Sequence, residues 1–361
     1  MTASTITPVT LLTGFLGSGK TTLLNHVLNT PGVPETAVLI NEFGEVSIDH
    51  LLVRRASDDI VVMKNGCVCC SVAGDMVKAL RELYFKRSKG EVPNFTRVII
   101  ETTGLADPAP IMHTLIEMPV IAARYVLSGV VTTIDATHGN QQLDEHPESV
   151  KQAAVADRLI ITKTDLVDAD TLARLRQRLS VLNPGAVVIE AINGQLDFAQ
   201  LFDTGLYQPG NKVPDVARWL NAEAYRPRAT ETTNQLGRGA AAARVIAPVK
   251  TRHDERISSI CVRYNEPLDW DRLIDVLEMM QSMRGDHLLR IKGIVNVQGE
   301  SRPRALHGVQ HTLYPAASLA EWPDADHSTR LVFIVRDLDT GFIRDSLNQF
   351  LQLRAVEPVP A

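Results

Sequence analysis

The chain has 361 residues, of which 45% are hydrophobic and 22% charged, and its formal net charge is −5. This length predicts about two domains, and the weakly acidic balance argues against a nucleic-acid partner or a charged membrane surface. No apolar run is long enough for a membrane-spanning helix, and the first residues lack the pattern of a secretory signal, so we expect a cytoplasmic protein.

Strands and helices alternate over the first half of the chain. Strands are predicted at 9–12, 36–41, 60–64, 97–101, 129–135, 158–162 and 186–190. Helices are predicted from residue 20 onward and at 75–86, 108–119 and 171–182. Continuous apolar strands suit a sheet that is covered on both faces, so we predict an α/β fold with a mainly parallel sheet. Ligands bind such sheets at the carboxyl ends of the strands.

The alternating pattern weakens after residue 204. Residues 205–256 include a stretch rich in Ala, Gly, Thr and Arg without periodicity, which predicts a flexible linker. Strands are then predicted at 257–264, 288–297, 305–313 and 330–335, with helices at 269–283 and 340–351. We therefore predict a domain at 1–204, the linker at 205–256, and a smaller α+β domain with an antiparallel sheet at 257–361.

The first strand runs into a glycine-rich loop and then a helix. The loop, Gly14-Phe-Leu-Gly-Ser-Gly-Lys-Thr21, matches a phosphate-binding loop (P-loop) in the expected context. Its glycines let backbone N–H groups point at phosphate oxygens. Lys20 adds charge near the β- and γ-phosphates, and the Thr21 hydroxyl is placed for Mg²⁺. The loop residues predicted to bind nucleotide are Gly14, Gly17, Ser18, Gly19, Lys20, Thr21 and Thr22.

A second motif, Glu101-Thr-Thr-Gly104, follows another predicted strand. In GTPases with this spacing the acid holds Mg²⁺ and the glycine N–H reaches the γ-phosphate, so the turn senses whether that phosphate is present. We assign these roles to Glu101 and Gly104. The predicted catalytic residues are Lys20, Thr21 and Glu101.

A third motif, Thr162-Lys-Thr-Asp165, nearly matches the guanine-reading pattern Asn-Lys-x-Asp. Asp165 can accept hydrogen bonds from the guanine N1–H and 2-amino group, neither of which adenine offers. The stem of Lys163 would lie along the base. Thr162 lacks the amide of the usual Asn, which braces the base. The predicted nucleotide is therefore GTP.

Three of the four cysteines are packed into Cys67-Val-Cys-Cys70. Three neighbouring thiolates suit Zn²⁺ or Cu(I), with a fourth ligand from Glu, His or water. Two other interpretations stay open. Cys67 and Cys70 have the C-x-x-C spacing of a redox pair, and buried cysteines can also act as small apolar side chains.

These motifs together resemble the CobW-type GTPases, which are zinc-regulated metalloprotein activators and metallochaperones. The resemblance is carried by the P-loop, Asn41-Glu-Phe-Gly44, Gly66-Cys-Val-Cys-Cys70 and Glu101-Thr-Thr-Gly-Leu-Ala-Asp-Pro108. It implies a P-loop GTPase domain of the SIMIBI type followed by a CobW C-terminal domain. It also implies slow GTP hydrolysis and delivery of zinc, or a similar divalent metal, to a client metalloprotein. By motif position the metal ligands would be Cys67, Cys69 and Cys70, with Glu42 as the candidate fourth.

Several alternatives remain at this point. Within the family, cobalt delivery for cobalamin synthesis and activation of nitrile hydratase compete with zinc trafficking. From other classes, the chain could be an ATP-dependent small-molecule kinase or a zinc-binding module without hydrolysis. A homo-oligomer also stays open. We further expect metal and nucleotide affinities to be coupled, because the metal loop and the two nucleotide-responsive loops would be neighbours.

Overall fold

The computed structural model describes residues 6–30, 35–41, 61–65, 72–193, 195–196, 201 and 256–356. The first region contains one sheet built from β1 (Thr7–Gly14), β2 (Thr36–Asn41), β3 (Val61–Asn65), β4 (Arg97–Thr102), β5 (Tyr125–Asp135), β6 (Arg158–Thr162) and β7 (Val187–Ala191). The strands pair in the order β3-β2-β4-β1-β5-β6-β7, and every pairing is parallel. The predicted α/β fold is confirmed.

Helices cover both faces of this sheet. They are α1 (Lys20–Asn29), α2 (Val72–Ser88), α3 (Ala109–Glu117), α4 (Pro119–Ala122), α5 (Gly139–Glu145), α6 (Pro147–Val155) and α7 (Ala169–Leu182). On β2, Ala37 and Leu39 pack with α2 and α3, whereas Val38 and Ile40 pack with α1. Successive side chains of a strand point to opposite faces, so the continuous apolar run fills two cores.

The sequence prediction missed the short helix α4, and it also missed α5 and α6, which come from one continuous segment. The segment that forms them begins with polar residues and shows no clear apolar period in its first turns. A usable signal was present, because Pro147 lies at the first position of α6, where its missing N–H costs no hydrogen bond. This omission matters for the site, since α6 carries two of its supporting side chains.

The second region is an antiparallel sheet with two helices, as predicted. Its elements are β8 (Ile257–Tyr264), α8 (Trp270–Arg284), β9 (Leu288–Val295), β10 (Arg304–Val309), β11 (Thr312–Leu313), β12 (Ala317–Ser318), β13 (Thr329–Arg336) and α9 (Thr340–Leu351). The prediction of one strand over 305–313 is wrong. β10 and β11 form a hairpin, and Gln310 in its turn has φ 48°.

The second sheet is buried on both of its faces. One face packs against α8 and α9, whereas Leu289 and Ile334 reach into a cluster formed by α6 and α7 of the first region. Asp157, which precedes β6, forms ion pairs with Arg290 at 2.8 Å and with Lys292 at 2.9 Å. The two regions are therefore joined by apolar packing and by a buried charge cluster.

Among the residues that the structure describes, no helix is both long and apolar enough to cross a membrane. The predicted linker at 205–256 lies almost entirely outside the described residues, so its boundaries stay a prediction.

Candidate nucleotide site

The P-loop connects the carboxyl end of β1 to the first turn of α1. Gly14 has φ 140°, and a side chain there would meet the carbonyl and hydroxyl oxygens of Thr133 and would lie 2.7 Å from the Ser18 hydroxyl. Gly19 immediately precedes α1 with φ 89°, a conformation that other residues rarely adopt. The loop thus needs glycine at these positions to turn tightly into the helix.

Ser18 anchors this loop to the sheet. Its fully buried hydroxyl lies 2.6 Å from the hydroxyl of Thr133 on β5, and its N–H donates to the Phe15 carbonyl at 3.2 Å. In contrast, Gly17 and Thr22 are exposed at the outer side of the loop and of α1. The residues predicted to bind nucleotide therefore divide into a supporting group and a solvent-facing group.

Lys20, Thr21 and Glu101 meet at the start of α1. The Lys20 ammonium group donates to the carbonyl oxygens of Gly14 at 2.8 Å and Phe15 at 3.1 Å. The Thr21 hydroxyl donates to Oε1 of Glu101 at 3.1 Å, although the two residues are 80 positions apart in the chain. Glu101 is 5% exposed at the end of β4. The positive end of the α1 dipole faces the same point.

The donor set at this point fits Mg²⁺. Magnesium prefers oxygen ligands in an octahedral arrangement and is usually held by one or two protein oxygens together with phosphates and water. The Thr21 hydroxyl and the Glu101 carboxylate offer two such oxygens beside the P-loop.

The turn at Gly104 lies directly against the P-loop. A side chain on Gly104 would come within 2.7 Å of the Leu16 backbone nitrogen, so only glycine allows this approach. Gln152 of α6, which is fully buried, donates from Nε2 to the carbonyl oxygens of Gly104 at 3.1 Å and Ala106 at 3.0 Å. One side chain thus fixes the turn that is predicted to sense the γ-phosphate.

Thr162 and Lys163 occupy the carboxyl end of β6, beside the P-loop. The Thr162 hydroxyl donates to the Ser18 carbonyl at 2.8 Å, so this residue braces the P-loop backbone. Lys163 adopts φ 57° and forms a 2.7 Å ion pair with Asp135, at the end of β5. Asp165 lies in the following short 3₁₀ turn and is exposed, with room to face a ligand.

Asp135 fixes the lysine of this motif. Burial would raise the pKa of its carboxyl group, but hydrogen bonds from Lys163 and Thr137 outweigh burial and hold the pKa below its ordinary value. Asp135 therefore stays ionised and keeps the Lys163 ammonium beside the strand ends. Sequence reasoning missed Asp135, Thr133 and Gln152. For Asp135 a signal existed, because it ends a strand between two strands that carry motifs.

The predicted metal ligands Glu42, Cys67, Cys69 and Cys70 lie outside the described residues. The strands that lead to them are described. Asn41, the last residue of β2, is paired with Asn65, the last residue of β3, and with Thr102 of β4. The segments that carry Glu42 and the cysteines therefore leave adjacent strands on the edge that holds Glu101. Within the described part of the chain, no three His, Cys, Asp or Glu side chains cluster as metal ligands.

Comparison with known proteins agrees with this geometry. Residues 8–190 match the model of the CobW/HypB/UreG nucleotide-binding domain, and residues 257–351 match that of the cobalamin synthesis protein cobW C-terminal domain. The chain belongs to the CobW/HypB/UreG family. The resemblance seen in the sequence motifs is thereby confirmed.

Two relatives of this CobW-family chain match it over nearly its whole length. It is 35% identical to the zinc chaperone YjiA of Escherichia coli over 93% of this chain and 96% of that protein. It is 28% identical to the zinc chaperone CobW of Pseudomonas aeruginosa over 95% of this chain and 91% of that protein. The crystal structure of Zn(II)-bound YjiA GTPase from E. coli matches with a TM-score of 0.68 at 29% identity, covering 96% of this chain and 99% of that one.

Proposed function

We propose that this protein is a GTP-hydrolysing metallochaperone that binds zinc, or a similar divalent metal, and passes it to a client metalloprotein. The observation that carries the proposal is the hydrogen bond between Thr21 and Glu101 beside Lys20. It brings a hydroxyl, a carboxylate and an ammonium group to the mouth of a P-loop. Relatives named as zinc chaperones and as a zinc-regulated GTPase metalloprotein activator support the metal part.

The residues at the P-loop supply what phosphoryl transfer to water requires. Lys20 can exchange its two neutral carbonyl partners for phosphate oxygens and so stabilise the charge that develops on the γ-phosphate. Thr21 and Glu101 would hold Mg²⁺, which neutralises phosphate charge when bound. The turn between Glu101 and Gly104 contains two threonines and no glutamine to orient the attacking water. We therefore expect slow intrinsic turnover.

The same edge supports a choice of guanine. The ion pair with Asp135 fixes the Lys163 side chain, and Thr162 ties this segment to Ser18 of the P-loop. The base and phosphate subsites are thereby held at a constant separation, which preorganises binding. Asp165 then accepts from the guanine N1–H and 2-amino group. Adenine offers neither donor, so these two hydrogen bonds would not form with ATP.

Cys67, Cys69 and Cys70 are the proposed zinc thiolates, with Glu42 as the fourth ligand. The pairing of Asn41 with Asn65 and Thr102 supports this assignment, because neighbouring strands lie about 4.8 Å apart. The two metal-bearing segments and the Glu101 motif then start from one small area. We propose that GTP changes zinc affinity through the segments that follow these strands.

A metal-retention measurement tests the thiolate assignment. Protein purified without oxygen should carry about one zinc in native mass spectrometry, and a variant with Cys67, Cys69 and Cys70 changed to Ser should lose it. Cys261→Ser is the matched control. Burial in β8 raises the pKa of the Cys261 thiol to about 11, which makes it a poor ligand. Retention of metal by the triple variant would contradict the assignment.

A titration tests the coupling to nucleotide. Zinc affinity is measured for protein alone, with GDP, and with a non-hydrolysable GTP analogue. Three equal affinities would refute coupling while leaving GTP hydrolysis intact. Competition between GTP and ATP decides the class of enzyme, since preference for ATP together with transfer to a small molecule would indicate a kinase. Zinc binding without any turnover would indicate a binding module.

A further inference from the structure

The turn of residues 103–108, which contains Gly104, is held from two sides. On one side Gln152 binds the Gly104 and Ala106 carbonyls. On the other side Asp107 forms a 2.6 Å ion pair with Lys151 of α6 and accepts a 3.2 Å hydrogen bond from Gln310. Gln310 belongs to the C-terminal sheet, 203 positions further along the chain. The C-terminal region therefore contacts, at Asp107, the same turn that contains Gly104.

The choice of glutamine at position 310 indicates a role for its side chain. Gln310 connects β10 to β11 with φ 48°, a conformation that favours glycine or asparagine. Its N–H donates to the Leu288 carbonyl at 2.9 Å, which fixes this turn to β9. A glutamine in this conformation costs stability that glycine would not cost. What glutamine provides there is an amide long enough to reach Asp107.

A second route joins the same parts of the molecule through α6. In the second half of this helix Gln152 holds the Gly104 turn. Three residues further on, at the C-terminal end of the helix, the Val155 carbonyl accepts a 3.2 Å hydrogen bond from Arg290 of β9, and Asp157 binds the same guanidinium group. The Gly104 turn thus contacts the P-loop on one side and, through α6, is connected to the C-terminal sheet on the other.

We propose that Gln310 and Asp107 are positioning residues through which the C-terminal domain sets the position of Gly104 relative to the γ-phosphate. Docking of this domain then favours GTP over GDP, and GTP in turn strengthens the docking, because coupling between two sites is reciprocal. This inference rests on the proposed GTPase function. It assigns the C-terminal domain a part in nucleotide discrimination, in addition to any contact with a client.

The test is Gln310→Asn. Asparagine tolerates the turn conformation, but its side chain is one methylene shorter and no longer reaches Asp107. We expect affinity for a non-hydrolysable GTP analogue and GTP turnover to fall about three- to ten-fold. GDP affinity should change less than about two-fold, because GDP lacks the phosphate that Gly104 senses. Asp107→Asn, which keeps an oxygen for the Ala109 N–H, should show the same selective loss.

Thr312→Val is the matched control. It removes another hydrogen bond between the two regions, the 2.7 Å contact of Thr312 with His113, at nearly constant volume. The variant keeps the Gln310–Asp107 hydrogen bond, through which we propose that the Gly104 turn is positioned, so both nucleotide affinities should stay unchanged.

Each remaining outcome has a defined meaning. Equal losses of GDP and GTP-analogue affinity in Gln310→Asn would show a purely structural role and overturn the inference. Unchanged affinities in both Gln310→Asn and Asp107→Asn, with an active wild type, would also overturn it and leave the GTPase proposal standing. A wild-type protein that neither binds nor hydrolyses GTP would overturn both.

Discussion

Two buried aspartates at opposite ends of neighbouring strands show how one sheet serves two purposes. Asp135 closes β5 at the carboxyl edge, and Asp157 precedes β6 at the amino edge. For both, burial would raise the pKa, yet hydrogen bonds and neighbouring cations together lower it, for Asp157 to about 2. Their partners differ. The Lys163 side chain is 36% exposed, whereas the side chains of Arg290 and Lys292 are at most 5% exposed.

The different exposure of these cationic partners indicates that one edge serves ligand binding and the other serves stability. At the carboxyl edge the ammonium groups of Lys20 and Lys163 are partly exposed, so a ligand can compete for them, as expected where α/β sheets bind ligands. At the amino edge the charges are buried between two regions of the chain, so breaking a pair leaves a buried ion without its counter-ion. Changes at the first edge should alter nucleotide chemistry, and changes at the second should alter folding.

The largest expected effect is on stability, from Asp157→Ala. Removal of this carboxylate leaves Arg290 and Lys292 buried without their shared counter-ion, which should lower the free energy of unfolding by about 3–5 kcal/mol. Urea unfolding measures the change. The control is Glu91→Ala, which removes the exposed 3.7 Å pair with Lys89 and should cost less than about 1 kcal/mol. Similar costs for the two variants would show that the buried cluster does not hold the regions together.

Lys20→Ala should have the opposite effect, a loss of activity with little change in stability. We expect GTP turnover to fall about 100-fold, since a preorganised charge at the γ-phosphate is lost. The melting temperature should stay near that of the wild type, because Lys20 is only half-buried and its partners are backbone carbonyls at the loop. Lys78→Ala, on the exposed side of α2, serves as the control. Unchanged turnover in Lys20→Ala would remove the P-loop from the mechanism.

Asp165→Asn tests base recognition at the carboxyl edge. Asparagine offers one acceptor where aspartate offers two, so GTP affinity should fall about 10- to 100-fold. Xanthine carries a carbonyl in place of the 2-amino group, and the amide can donate to it, so affinity for xanthosine triphosphate should rise. Asp168→Asn is the control, because asparagine caps α7 at Thr171 as well as aspartate does. Equal GTP affinity in the Asp165 and Asp168 variants would contradict guanine reading by Asp165.

The two edges also differ in how far the sequence predicted them. The carboxyl edge consists of motifs with fixed spacing, so Lys20, Thr21, Glu101 and Thr162 could be named from a single sequence. The groups that support them could not, because Gln152 and Asp135 act through contacts that depend on helix packing and strand order. The hairpin at Gln310 was missed for a similar reason. No glycine or proline marks its turn, and neighbouring contacts hold a residue there that is uncommon in this conformation.

The smallest effect per step, about 1.4 kcal/mol for one pH unit, should be a pH dependence at the amino edge, carried by His307. Burial lowers the pKa of this imidazole to about 3, and the charges of Arg290 and Lys292 add to the effect, while Asp157 opposes it. An unfolded chain protonates this histidine near its ordinary value of 6.5. Between these values the unfolded state binds one more proton, so the stability contributed by a neutral His307 is present above pH 6.5 and is lost as the pH falls toward 3.

His307→Gln should flatten that slope. The wild type loses about 1.4 kcal/mol per pH unit from this one group across the window, and the variant should not. Asp157 adds to the slope only in the lower part of the window, because its carboxyl group titrates between its ordinary value of 3.8 and about 2, so the slopes are compared above pH 3.8 plus about one unit. Urea midpoints of both proteins are measured as a function of pH. The change of the midpoint with pH reports the proton linkage, whereas a constant offset between the two proteins reports any packing loss in the variant. His327→Gln, at an exposed position, should keep the wild-type slope. Parallel slopes for wild type and His307→Gln would mean that the buried imidazole accepts its proton as readily in the folded chain as in the unfolded one.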